Sequence, residues 1–297
     1  MAVEVVPGAF TQGGVAASDW NGFPTVAWRG SDDEWIWYSQ RVNVTNELWT
    51  PPVTIPGIAS SIGAALAQRH DDTGQYLCAL WKGANGDQGL WSAYFAPGTP
   101  DGGGGWQPQI DIPHVGSASQ PALAGVGPTV YAAWRGLNDD QAQYWSSSPD
   151  GYAWNPQQVI GGTFSSNGPN ITSYGGDLIA AWKGMNNDQS IWWSRLPLTG
   201  GAVDWSPQQR VPGILSSEGP ALAEWGNQVY AVWRGETGDP RLWSTTFDGT
   251  SWAPQTVLNI VAGCRPAICI SGSDQLYVAA SNPQDQTVWC ALYEDLI

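Results

Sequence analysis

Short apolar runs separated by turns rich in Gly, Pro, Asn and Asp recur along the whole chain. In residues 229–252 one run ends in Trp233-Arg234-Gly235, a polar turn ends in Asp239, and a second run centres on Trp243. The turn Asp248-Gly249 then leads to Trp252 and Pro254-Gln255. The same unit returns as Trp28-Arg29-Gly30, Trp81-Lys82-Gly83, Trp134-Arg135-Gly136 and Trp182-Lys183-Gly184, with spacings of 53, 53, 48 and 51 residues up to Trp233. A second anchor, an Asp shortly before a Trp, occurs six times: Asp33/Trp37, Asp87/Trp91, Asp140/Trp145, Asp188/Trp192, Asp239/Trp243 and Asp285/Trp289. In the sixth copy Ala280-Ser281-Asn282 stands where Trp, the cation and Gly are expected. A third anchor is Trp-x-Pro, at Trp49, Trp106, Trp154, Trp205 and Trp252.

A period of about 50 residues marks a repeat architecture. The apolar runs are too short for helices and are bounded by turn residues, so each copy reads as four strands. In the fourth copy these fall at 170–173, 178–183, 190–194 and 205–211. One four-stranded sheet cannot bury both faces alone, whereas six of them around an axis do so. The expected fold is all-β: a single six-bladed β-propeller with four antiparallel strands per blade. Its blades fall near 10–57, 60–113, 118–161, 166–213, 217–260 and 264–297 plus 1–8. Val5-Val6-Pro7-Gly8 matches Arg210-Val211-Pro212-Gly213, the end of a fourth strand. The N-terminal strand is therefore expected to close the last blade and leave few free edges.

Composition narrows the function. The chain has 20 Trp against 11 Lys plus Arg, and a net charge of −15. An acidic surface argues against a phosphate-tracking nucleic-acid partner and against anionic membrane held through basic residues. No apolar stretch reaches the roughly 18 residues of a membrane span, so membrane insertion is not expected. The start lacks the basic and apolar regions of a signal peptide, which points to a cytoplasmic or non-classically secreted protein. Cys78, Cys264, Cys269 and Cys290 read as buried thiols, with one bridge in the last repeat as the alternative.

The layout of Trp-rich repeats with Asp-Gly turns before an outer Trp resembles the lectin-type propellers of fungi and bacteria, including the tectonin-like and Aleuria-type fucose-binding families. Residues 148–154 and 247–252 also resemble the Asp-box turns of sialidase-like propellers. The resemblance implies a propeller and favours sugar binding, and it does not fix the sugar.

The Trp-Lys/Arg-Gly…Asp unit carries the most telling chemistry. It reads in two ways: an internal ion pair ordering each hairpin, or a repeated pocket. For a pocket, a ring face would stack on a pyranose while Arg or Lys and Asp hydrogen-bond its hydroxyls. The candidate ligand residues are Trp28, Arg29, Asp33, Trp81, Lys82, Asp87, Trp134, Arg135, Asp140, Trp182, Lys183, Asp188, Trp233, Arg234 and Asp239. The Trp-x-Pro tryptophans read as outer-strand plugs, and Trp35 and Trp193 are expected to be exposed, since one ring of each close pair faces away from its neighbour. The Asn/Asp-rich turns at 137–140 and 185–188 suit turn formation, with calcium as the lesser alternative. No catalytic motif or metal-ligand spacing stands out, and no cofactor is expected. The reading is a non-catalytic, multivalent glycan-binding protein. The alternatives are a scaffold for protein partners and, behind it, a sialidase-like glycosidase.

Overall fold

The computed structural model describes residues 3–43, 48–98, 104–199 and 204–297. Six antiparallel sheets, each built on four strands, stand around an axis. In the third blade the order outward is Ala122–Val126, Thr129–Arg135, Ala142–Ser148 and Gln158–Phe164. The innermost strands are Val15–Trp20, Ala65–Asp71, Ala122–Val126, Asn170–Tyr174, Ala221–Trp225 and Ala267–Ile270. Each touches the next, and the sixth touches the first, so the ring is closed. The molecule is a six-bladed β-propeller.

The N-terminal strand Val3–Phe10 is the outermost strand of the last blade, with Val3 opposite Ala291 and Val5 opposite Trp289. This is the closure expected from the chain ends. A side-chain clasp reinforces it. Glu4 accepts hydrogen bonds from Arg41 Nε at 2.9 Å, Arg41 Nη2 at 2.8 Å and Trp49 Nε1 at 3.0 Å, joining the last blade to the first.

Outer strands depart from simple alternation. Val6 and Ala9, Ile55 and Ile58, and Val211 and Ile214 are all buried, three positions apart instead of two. Between them lies a register shift with a left-handed residue: Gly8, Gly57, Gly162 and Gly213, and in the second blade His114 at φ 63°. A bulge of this kind returns the strand to the core face after the irregularity. The fourth blade's outer strand is Gln209–Leu215, so it starts later than the 205–211 expected from sequence. The reason is that Trp205-Ser206-Pro207 serves another purpose. Pro lacks the ladder N–H, and Trp205 packs edge-on against Trp145 of the preceding blade at 6.2 Å. Trp154 likewise donates to Ser92 Oγ at 2.9 Å, and Trp252 lies 6.0 Å from Trp193. These are the expected plugs. In the Asp-box-like turns, Asp150 Oδ1 accepts the Tyr152 and Ala153 amides, and Asp248 Oδ1 those of Thr250 and Ser251.

The core lies between blades. Trp28, Trp81, Trp134, Trp182 and Trp233 are 0–2% exposed. Each packs on the blade before it: Trp81 with Ile36 and Ile55, Trp134 with Leu90, Trp233 with Ile191 and Val211. Each such ring contributes roughly 4–6 kcal/mol of transfer free energy before conformational entropy is counted. All four cysteines are free and buried, so the alternative of a bridge in the last repeat is not realised.

Along the axis, Ala17, Leu66, Leu123, Ile171, Leu222 and Ile268 share one register level. Each pairs with the residue two before the repeat Trp, or before Ala280 in the last blade. This ring divides the axis into two spaces. One is small, about 70 Å³, and lies among Gln120, Pro121, Arg265 and Pro266. The other is a funnel of about 880 Å³ that reaches the turns at Asn21-Gly22 and Gly272.

Candidate functional site

The second and third strands of each blade meet in a hairpin whose chemistry centres on its Asp. The carboxylates of Asp33, Asp87, Asp140, Asp188 and Asp239 accept the backbone N–H two residues on, at 2.8–3.1 Å. Each also takes a donor from the third strand. The indoles of Trp37, Trp91, Trp192 and Trp243 approach at 3.3, 2.8, 2.8 and 3.0 Å, and the Tyr144 hydroxyl at 2.9 Å. Asp285 holds the Thr287 amide and hydroxyl in the sixth blade. The third blade corrects the sequence reading: Tyr144, not Trp145, pairs with Trp134 and holds Asp140, while Trp145 pairs with Ala133. The sequence motif marks this position by Trp, whereas the register admits any ring carrying a donor.

Gly30, Gly83, Gly136, Gly184 and Gly235 have ordinary φ, so they do not supply the turn conformation. A Cβ at any of them would overlap the Asp carboxylate, which folds against the bare Cα. The left-handed positions belong to Asn85, Asn138, Asn186 and Gly238 at the tips. Tips are tied to the preceding blade by the residue after its Asp. Gln88 Nε2 donates to Asn138 Oδ1 at 3.0 Å, Gln141 Nε2 to Asn186 Oδ1 at 2.7 Å, and the Thr237 amide to Gln189 Oε1 at 2.7 Å. Sequence reading missed this clasp, though Gln follows Asp in these three copies.

The expected ion pair between the cation and the Asp of its own hairpin is absent from the contacts of the described residues. Trp28 pairs with Trp37 and Arg29 with Ile36. Neighbours on a strand face opposite sides, so the carboxylate closes on the Trp side and the cation lies on the other. Arg29 Nε donates to Ser60 O at 3.1 Å and lies 3.9 Å from Glu34. Lys82 Nζ donates to Ser61 Oγ at 3.0 Å, and Arg135 Nη2 to Asn138 O at 2.8 Å. Lys183 Nζ bonds Ser166 Oγ at 2.7 Å and Asn186 O at 3.0 Å, and Arg234 approaches Glu218 at 3.5 Å.

Electrostatics match this wiring. Burial lowers the Lys183 ammonium, with Asp188 opposing. Burial opposes ionisation of Asp188, but the Ser190 and Trp192 donors outweigh it and hold the carboxyl down. A fork from Arg241 holds Asp239 down to about 2. The Asp140 carboxylate raises the Tyr144 phenol.

Of the proposed ligand residues, the five tryptophans Trp28, Trp81, Trp134, Trp182 and Trp233 offer no ring face, because the blade interface covers them. The third-strand rings at this hairpin, Trp37, Trp91, Tyr144, Trp192 and Trp243, are instead partly exposed. Trp35 is exposed at 45%, as expected, while Trp193 is buried among Phe247 and Trp252. Beside this hairpin end, the outer strands present Phe10, Phe164 and Leu215 at one register position, all exposed. A depression of about 160 Å³ opens where the last blade meets the first, walled by Phe10, Trp37, Ser31, Asp32 and Asp33. Among the described residues no group of three or more His, Cys, Asp or Glu is placed to hold a metal ion.

With that geometry established, known structures supply a comparison. A protein named AofleA, from Arthrobotrys oligospora, superposes with a TM-score of 0.69 at 11% identity, covering 98% of this chain and 85% of that one. A variant of the Aleuria aurantia lectin in complex with α-methyl-L-fucoside gives 0.66 at 15% identity, covering 98% and 95%. The fold is also that of a catalyst: an α-L-arabinanase from Penicillium chrysogenum, complexed with arabinobiose, gives 0.66 at 12% identity over 100% and 99%. No family model and no curated protein sequence matches the chain. At these identities the shared property is the propeller itself.

Proposed function

We propose that this propeller binds glycans without transforming them, in several niches at its hairpin end. The observation that carries the reading is the repeated, partly exposed ring of the third strand, held through its own N–H or O–H by an Asp. Such a ring offers an apolar edge for pyranose C–H groups at little entropic cost. A cation and serine-rich connectors lie on the other face of the hairpin, and a depression opens at Phe10 and Trp37. The sugars carried by structures of the same fold support the choice of ligand class. Single sites of this kind bind at about 0.1–1 mM, and avidity multiplies that by about 10²–10⁴ where geometry permits.

The test is a glycan array of wild type beside Arg135→Ala/Lys183→Ala/Arg234→Ala and beside Trp37→Ala, with thermal melts of each. Selective binding by wild type, reduced in both variants whose melts stay cooperative, supports the reading. A wild type that binds nothing on a broad array sinks it. The second reading, a scaffold for a protein partner, is favoured by one observation: Leu137, Met185, Phe164 and Trp35 stand exposed around the hairpin end.

A further inference from the structure

The axial funnel lies apart from the hairpin niches and has a layered chemistry of its own. Its floor is the apolar ring, of which Leu66, Leu123, Ile171, Leu222 and Ile268 are each a few per cent exposed. Two residues further along the inner strands, on the same face, come Asp19, Gln68, Ser173 and Glu224, which form a polar rim. Floor and rim are separated by about 6.6 Å, two strand residues. The rim carries two carboxylates, and among the described residues no Lys or Arg lines the funnel.

Those carboxylates are held in place by neutral donors. Glu224 accepts Ser173 Oγ at 3.1 Å and the Gly175 amide at 3.1 Å. Asp19 Oδ1 accepts the Gly22 amide at 3.1 Å, while its Oδ2 is shielded from solvent. Burial raises the Asp19 carboxyl against the pull of the Gly22 and Gly272 amides. Arg265 sits beyond the floor in the small closed space, where it donates to the carbonyls of Pro169 and Pro220 and faces Glu218. The rim charges therefore have no cationic partner inside the funnel.

We propose that the funnel is a second ligand site, selective for an aliphatic ammonium ion whose charge sits at the Asp19–Glu224 rim and whose hydrocarbon body rests on the apolar floor. Charge complementarity favours a cation, and the floor rejects a fully hydrated metal ion. A chain of roughly four to six carbons spans the distance from rim to floor, and about 880 Å³ leaves room for a bulkier body. A funnel of this size, with a polar rim above a small apolar floor, falls within the volume range of small-molecule sites.

The test uses the whole chain and hexylammonium as probe, with hexanol and hexanoate as matched controls, by isothermal titration. The expected result is one hexylammonium per chain, hexanol at least ten-fold weaker and no hexanoate binding. Asp19→Asn/Glu224→Gln keeps the amide-accepting oxygens and should weaken hexylammonium about ten-fold, leaving hexanol unchanged. Ala17→Phe, which fills the floor, should abolish binding while the melt stays cooperative. The hairpin triple variant should retain it, which separates this site from the glycan niches. Absence of hexylammonium binding, equal binding of hexanoate, or indifference to Asp19→Asn/Glu224→Gln would overturn the proposal.

Discussion

At the scale of single residues, glycine and aspartate act as one device. In five hairpins the carboxylate occupies the space that a Cβ would need, and from there it reaches both a backbone amide and a ring donor. Gly184→Ala should displace the Asp188 carboxylate and cost about 1–3 kcal/mol. In a double-mutant cycle with Asp188→Ala that cost should shrink, because the displaced group is already gone; additive losses would show the two to be independent. The pH response carries a sign. Asp239 is held to about 2 in the fold against 3.8 for a free carboxyl, so its stabilisation is complete above the free value and is lost as pH falls towards about 2. Asp188, Asp150 and Asp248 shift the same way. The melting temperature should fall over that window, and Asp239→Asn should flatten part of the slope.

At the scale of the strand, the outer bulge places side chains three apart on the core face, and the residue after the Pro position takes φ near 70°. Four blades use Gly there and the second uses His114, at φ 63°. A non-Gly residue is strained in that region by about 1–2 kcal/mol, while Gly costs about 0.5–1 kcal/mol more in backbone entropy. His114→Gly should therefore stabilise by about 0.5 kcal/mol, read from denaturant melts, whereas Gly213→Ala should destabilise. Repeat, strand number and closure were legible in the sequence because Trp, Gly and Pro recur at fixed offsets. The start of the outer strand was not, since Trp205-Ser206-Pro207 resembles a strand yet turns its ring onto the preceding blade. The cation partners were misread because adjacency in sequence was taken for adjacency in space, which a strand denies. The funnel left no sequence trace at all: its rim is built from Asp19, Gln68, Ser173 and Glu224, four different residue types on four blades, so no motif marks it.

At the scale of the whole molecule, closure depends on one strand and one clasp. The Arg41 side chain is 5% exposed and Glu4 11%, so removing the carboxylate takes a bidentate charge partner from a buried guanidinium that also meets the Tyr277 hydroxyl. Glu4→Ala should cost about 3–5 kcal/mol and should accelerate proteolysis at the junction of first and last blades. A variant that melts like wild type would show that strand pairing alone closes the ring. The ring in turn sets hairpin ends side by side through Gln88–Asn138 and Gln141–Asn186, so the proposed niches would share one end of the molecule. Such an array suits a ligand displayed in many copies, where weak sites add. The sharpest check is native mass spectrometry of wild type titrated with the best-scoring array glycan, counting ligands per chain. The account predicts more than one bound glycan, with the count reduced in Arg135→Ala/Lys183→Ala/Arg234→Ala. Saturation at a single glycan that the hairpin variants leave in place would contradict it.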